Sequence, residues 1–179
     1  MKIKKLKLPE LFVIEPKVFR DKRGFLYEIY NEDSYLKLIK SKIVQVIHSH
    51  SKKNTIRGIH FQYPHLQGKL VSVANGKIFD VTVDIRKNSP TFGKWCGLFL
   101  DSKKKNQLWI PKGFGHGYLV MSNSADIIYK CTEKYYPNNQ KGIKWDDPFI
   151  KINWPTKKPI LSKKDLRALT LKENKKLPK

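Results

Sequence analysis

Arg57-Gly-Ile-His60-Phe-Gln62, followed seven residues after Gln62 by Lys69-Leu-Val71, sets a guanidinium, an imidazole and an ammonium on short apolar segments that read as strands. Such segments normally spend their residues on packing, so three cationic or titratable groups there need a reason. A histidine suits a general base at neutral pH, and a neighbouring cation suits the oxyanion formed when a proton leaves a carbon beside a carbonyl. A satisfied core histidine flanked by two surface charges explains the same stretch without chemistry. His116 ends Pro111-Lys-Gly113-Phe-Gly115-His116, which reads as a glycine-rich turn leading into an apolar strand. A neutral imidazole there would need partners. Tyr129-Lys130 ends another strand run. A phenol can return a proton to a carbanion if it lies across from the base, although a core or rim aromatic is the plainer reading. Arg20, Arg23, Arg57 and Arg86 carry the planar fork that matches a diphosphate better than lysine does.

Metal chemistry has one candidate, His48-Ser-His50, whose alternation points two imidazoles to one side of a strand. A metal would want a third ligand, and no carboxylate follows His50 until Asp80 across a segment that reads as polar and loop-like. No metal site is therefore assigned. The two cysteines, Cys96 and Cys131, lack both a metal-type spacing and a disulfide framework, and read as small packing residues.

The elements that must hold these groups are mostly strands. One helix is expected over Asn31–Lys40, with apolar residues at helical spacing and Asn31 or Asp33 as cap. Lys69–Ala74 and Lys77–Ile85 flank Asn75-Gly76, a strong hairpin signal. In the second arm Phe79, Val81, Val83 and Ile85 alternate with Asp80, Thr82 and Asp84, giving one apolar and one polar face. Further strands are expected at Trp95–Leu100, Gln107–Ile110, Tyr118–Met121 and Asp126–Cys131. Ser162 to Leu169 reads as a short helix in a Pro- and Lys-rich tail, with Ser162 and Asp165 in capping-box spacing. Many short strands with close turn signals argue for an all-β sandwich or barrel, as a single domain over residues 1–179.

The formal charge of +22 makes nucleic-acid binding an obvious hypothesis. Against it stand the lack of a zinc finger, an RNP motif or a one-faced basic helix, and the predominance of scattered lysine. No apolar run approaches the roughly 20 residues of a membrane helix. The basic start Met1–Pro9 is not followed by a signal-peptide apolar core, and with the cysteine usage this makes the cytoplasm the expected compartment.

Taken together, the motifs resemble the dTDP-4-dehydrorhamnose 3,5-epimerase family of cupin-fold nucleotide-sugar epimerases. The likeness runs from Phe19-Arg-Asp21-Lys-Arg23-Gly24-Phe25 with Glu28, through Arg57–Gln62, Gln67–Val71, Asp84-Ile-Arg86 and Gln107–Pro111. It continues through His116-Gly117, Tyr129-Lys130, Gly142–Trp145 and Trp154-Pro155 to Leu161–Asp165. The resemblance implies a jelly-roll homodimer in which the N-terminal segment of one subunit completes the other's site. It implies that His60 removes the protons flanking a 4-keto group, that Asp165 orients it, that Lys69 holds the enolate oxygen and that Tyr129 returns a proton from the opposite face. Arg57, Gln45 and the partner's Arg23 and Glu28 match nucleotide-binding positions, Tyr135 matches an aromatic near the base, and His116 joins the substrate-binding set. No redox cofactor is implied, and because the metal-binding first cupin motif is absent at its usual place, a metal-free cupin is. Ile47 stands where the family's Gln-x-Asn-x-Ser-x-Ser run has asparagine. The alternatives are inversion of one centre only, ketoisomerisation of a related sugar, or a non-catalytic sugar- or nucleic-acid-binding cupin.

Overall fold

A computed structural model describes residues 1–179. In chain order the strands are β1 (Lys2–Lys5), β2 (Phe12–Glu15), β3 (Val18–Asp21), β4 (Gly24–Tyr27), β5 (Gln45–Lys52), β6 (Ile56–Gln62) and β7 (Lys69–Asn75). They continue as β8 (Lys77–Asp84), β9 (Trp95–Asp101), β10 (Gln107–Ile110), β11 (Phe114–Val120), β12 (Ser124–Cys131) and β13 (Gln140–Gly142). Two helices accompany them, α1 (Glu32–Ile39) and α2 (Lys163–Leu166). One sheet has the order β1-β2-β10-β7-β12-β5, the other β13-β6-β11-β8-β9, and β3-β4 form a separate hairpin. The two large sheets face each other across Val71, Val73, Leu108 and Ile127 on one side and Ile78, Leu100, Tyr118 and Val120 on the other. The fold is an all-β sandwich, as the alternation and turn spacing imply, and it has the jelly-roll form that the resemblance implies. No helix is long and apolar enough to cross a membrane.

Both outer faces are covered in part. Helix α1 lays Tyr35 and Ile39 over Ile14, Leu70 and Trp109 of the first sheet. Its cap is Asn31, whose side chain accepts from the Ser34 amide at 3.2 Å. The C-terminal tail brings Ile150, Leu171 and Leu177 over Ile59, Val81 and Val83 of the second sheet. That cover explains the polar stripe of β8. With its apolar face taken by the tail, the strand turns Asp80 and Thr82 into the sandwich, where both are fully buried.

The Asn75-Gly76 signal does not make a hairpin. β7 pairs with β10 and β12, while β8 pairs with β11 and β9, so the turn carries the chain from one sheet to the other. Gly76 has φ +83° and lies against Ser122 and Ser124, leaving no room for a Cβ. The residue types required by a tight hairpin and by this corner are the same, so the local signal cannot separate them.

Three further expectations change. The glycine-rich turn is confined to Pro111–Gly113, because Phe114–Gly117 already belong to a fully buried β11. The tail helix is a single turn rather than a run to Leu169. The segment between His50 and Asp80 is not loop-like but supplies all of β6 and β7. Gly58, at φ +118°, and Gly117 let β6 and β11 approach at the bulge between His116 and Tyr118. A Cβ on Gly58 would sit 2.5 Å from the Gly117 Cα.

Candidate active site

A cavity of about 610 Å³ opens between the sheets and is lined by both. From the second sheet, β6 contributes Arg57 and His60, and β11 contributes His116 and Tyr118. From the first, β7 contributes Lys69, β5 contributes Ile47 and Ser49, and β12 contributes Tyr129 and Cys131. His60 and His116 are register partners on adjacent strands, as are Lys69 and Cys131. Imidazole and phenol therefore reach the cavity from opposite walls.

The second sheet's wall holds two histidine–carboxylate pairs. His60 Nε2 meets Asp165 Oδ1 at 2.5 Å, the two side chains being 23% and 5% exposed. The α2 turn fixes this carboxylate. Ser162 Oγ accepts from the Asp165 amide at 3.1 Å and donates to Asp165 Oδ2 at 2.8 Å. Burial alone would push the Asp165 carboxyl up, but the His60 hydrogen bond and charge, Ser162 and Arg57 outweigh it and hold it below its ordinary value. His116 Nε2 meets Asp80 Oδ2 at 2.8 Å, at 5% and 0% exposure. The other oxygen, Asp80 Oδ1, has no hydrogen-bond partner.

On the first sheet's wall, burial lowers the Lys69 pKa, opposed by Cys131 and Asp80. An ammonium made uncomfortable by desolvation gains most when an oxyanion arrives. Burial pushes the Tyr129 phenol well up, repulsion from Tyr118 adds to this, and a hydrogen bond from Ser49 opposes it. A phenol held protonated is suited to donate. Its ring meets that of His116 edge-on, centroids 6.0 Å apart.

Other candidates lie at the rim or elsewhere. Arg57 donates through Nε to Ser51 Oγ at 2.8 Å and through Nη2 to the His50 carbonyl at 3.1 Å. Gln45 Oε1 accepts from the Tyr135 amide at 2.7 Å, so it holds the segment that carries Tyr135 to the cavity. Arg23 and Glu28 are not brought to the cavity within one chain. Arg23, 84% exposed, pairs with Asp21 on the β3-β4 hairpin, and Glu28 accepts from Asn31. His48 and His50 stand on the outer face of β5, both bonded to Asp126 Oδ1 at 3.0 Å, while Ile47 and Ser49, which alternate with them, face the cavity. Their carboxylate neighbour comes from the adjacent strand β12, not from the stretch after His50.

Residues 5–173 match the family model described as dTDP-4-dehydrorhamnose 3,5-epimerase. The chain belongs to that family. It is similar to the dTDP-4-dehydrorhamnose 3,5-epimerase of Salmonella typhimurium, 49% identical over 92% of both chains. The Escherichia coli enzyme of the same name is 46% identical over 97% of this chain and 96% of its own. Among solved structures, the dTDP-6-deoxy-D-glucose-3,5-epimerase of Legionella pneumophila, in complex with dTDP-4-keto-L-rhamnose, superposes with a TM-score of 0.97 at 45% identity, covering 99% of this chain and 97% of the other.

As an isomerase of this family the chain has site features to which the sequence reading gave no role, although Ser49 and Ser51 stand in the Gln-x-Asn-x-Ser-x-Ser run. Ser49, Ser51 and Tyr118 form hydroxyl contacts beside Tyr129. Asp80 read only as one member of a polar face, and Cys131 is a packing residue that also forms cavity wall next to Lys69. The alternation of β5 carried a usable signal for Ser49 and Ser51. Tyr118 carried none, because its neighbours come from a different sheet.

Proposed function

We propose that this chain inverts C3 and C5 of dTDP-4-keto-6-deoxy-D-glucose, giving dTDP-4-keto-L-rhamnose, by two rounds of proton removal and return. The observation that carries the reading is the pair of opposed walls, with the His60–Asp165 imidazole on one and the Tyr129 phenol and Lys69 ammonium on the other. A C4 ketone acidifies the C–H bonds on both of its neighbours, so one base and one enolate-stabilising cation serve both centres. His60 takes the proton and Asp165 holds the imidazolium that results. Lys69 balances the charge developing on O4, and Tyr129 donates from the far face so that the carbon returns inverted. Arg57 and Tyr135 at the rim receive the nucleoside diphosphate, and His116, fixed by Asp80, bounds the sugar.

Arg23 and Glu28 enter from a second copy. The β3-β4 hairpin belongs to neither large sheet and exposes Phe19, Phe25 and Leu26, which fits an arm whose apolar face is covered by another subunit. The 179 residues thus act as one catalytic unit that is completed by dimerisation. The two free thiols suit a reducing cytoplasm.

The test is incubation with the 4-keto-6-deoxy sugar nucleotide in deuterated water, read by NMR. Wild-type protein is expected to place deuterium at both C3 and C5. His60→Asn is expected to abolish exchange at both while nucleotide affinity stays within about tenfold, or 1.4 kcal/mol. Wild-type exchange in the variant would remove His60 from the base role.

A further inference from the structure

The contacts behind Tyr129 run in a line. Arg57 Nε donates to Ser51 Oγ at 2.8 Å, Ser51 Oγ lies 3.3 Å from Tyr118 Oη, Ser49 Oγ lies 3.3 Å from the same oxygen, and Ser49 Oγ lies 3.4 Å from Tyr129 Oη. The line crosses the sandwich, from β6 to β5, to β11, back to β5 and on to β12. Its direction follows from hydrogen counting. A guanidinium can only donate, so Ser51 Oγ accepts from Arg57 and keeps its own hydrogen to give. Ser51 and Tyr118 are 5% and 1% exposed, and the acceptor in reach of the Ser51 hydrogen is Tyr118 Oη. Leaving that buried hydrogen unused would cost on the order of 1–3 kcal/mol. Tyr118, having accepted, gives its one hydrogen to Ser49, and Ser49 gives its own to the Tyr129 oxygen. The Tyr129 hydrogen is then turned away from Ser49, resting on Tyr118 Oη or free for an acceptor that enters the cavity.

We propose that Arg57, Ser51, Tyr118 and Ser49 form a one-way hydrogen-bond chain that aims the Tyr129 proton at the substrate and stabilises the phenolate left behind. The inference rests on the reading of Tyr129 as the acid. In the step it serves, the Tyr129 O–H bond breaks and its proton goes to the enolate carbon. The new C–H bond is made from the enolate electrons as the C4 carbonyl re-forms, and the O–H electron pair stays on the phenolate oxygen. The resting hydroxyl contacts are long against the roughly 2.7–2.8 Å usual for O–H···O, whereas bonds to an ionised oxygen contract to about 2.5–2.7 Å. The chain therefore gains strength as charge develops on Tyr129, which is the condition for lowering a barrier rather than tightening ground-state binding. Arg57, besides meeting the nucleotide, ties its occupancy of the rim to the orientation of the acid. Ser49, Ser51 and Tyr118 are positioning residues, since they act through Tyr129.

Exchange and inversion can be read separately. In deuterated water, exchange without inversion needs only His60 and Lys69, because the base can return a deuteron to the face it came from. Ser49→Ala and Tyr118→Phe are expected to lower the inversion rate about tenfold or more while exchange stays within about threefold of wild type, and Ser49→Thr, which keeps the hydroxyl, is expected to restore inversion. An unchanged inversion-to-exchange ratio in Ser49→Ala and Tyr118→Phe would overturn the chain. Where that ratio is kept because both rates fall equally, the residues have a packing role. Tyr129→Phe run alongside separates the premises. If it inverts like wild type, the acid reading fails, whereas loss of inversion there with none in the Ser49 and Tyr118 variants refutes the chain alone.

Discussion

Asp165 carries two jobs on one side chain, and they can be pulled apart. Its backbone amide closes the α2 turn on Ser162, while its carboxylate meets His60. Asp165→Asn keeps the turn and removes the charge. Turnover is expected to fall about 10²-fold or more, and the melting temperature at neutral pH is expected to fall as the stabilising charge is lost. The pH dependence has a definite sign. Because the folded carboxyl lies below its ordinary value of 3.8, its contribution to stability is present above that value and is lost as pH falls through the lower, folded one. Asp165→Asn should therefore flatten part of the acid limb of the stability profile below about pH 4, measured by thermal unfolding. An unchanged turnover number would return Asp165 to a purely structural role. Nothing in the local sequence pairs this residue with His60. They lie 105 positions apart, and the link was legible only through the motif run Leu161–Asp165.

At the scale of elements, the sequence was most readable where one strand explains itself. Gln107–Ile110 falls where its residues predict, and the alternation in β8 holds along its length. What was not readable is what each face meets. The polar stripe of β8 points inward because a distant tail covers the apolar one, and Asn75-Gly76 turns between sheets rather than within one. The strands β1, β3 and β4 are short and exposed, with little burial to impose a period. β12 carries an oddity of its own, Lys130, which lies opposite Val46 and Leu70 with Nζ buried and unpartnered. Burial lowers its pKa to about 8. From there to its ordinary 10.5 the unfolded chain holds a proton that the folded chain has released, so stability rises with pH across that window. Lys130→Met is expected to stabilise the fold at neutral pH by roughly 1 kcal/mol or more and to remove that rise. A destabilised variant with the rise intact would show that the ammonium finds a partner in the assembled protein.

The whole molecule adds a field and a second copy. A charge of +22 favours arrival of an anionic nucleoside diphosphate without requiring nucleic acid as partner. The proposed exchange of the β3-β4 arm makes a prediction that only shared sites satisfy. His60→Asn and Arg23→Ala, each weak alone at low substrate, are mixed after unfolding and refolding. In a heterodimer one site then unites an intact His60 with an intact Arg23 from the other chain. Activity should return to roughly a quarter of wild type, since half the dimers are mixed and each has one good site of two. No recovery on mixing would place Arg23 in the service of its own chain or of none.

The central claim is that base and acid are separate groups on opposite walls, and Tyr129→Phe tests it most directly. Given substrate in deuterated water, this variant should still exchange the protons beside the ketone, returning deuterium from the original face, while inversion drops on the order of 10²-fold or more. Inversion at the wild-type rate, or loss of exchange in step with inversion, would contradict the account.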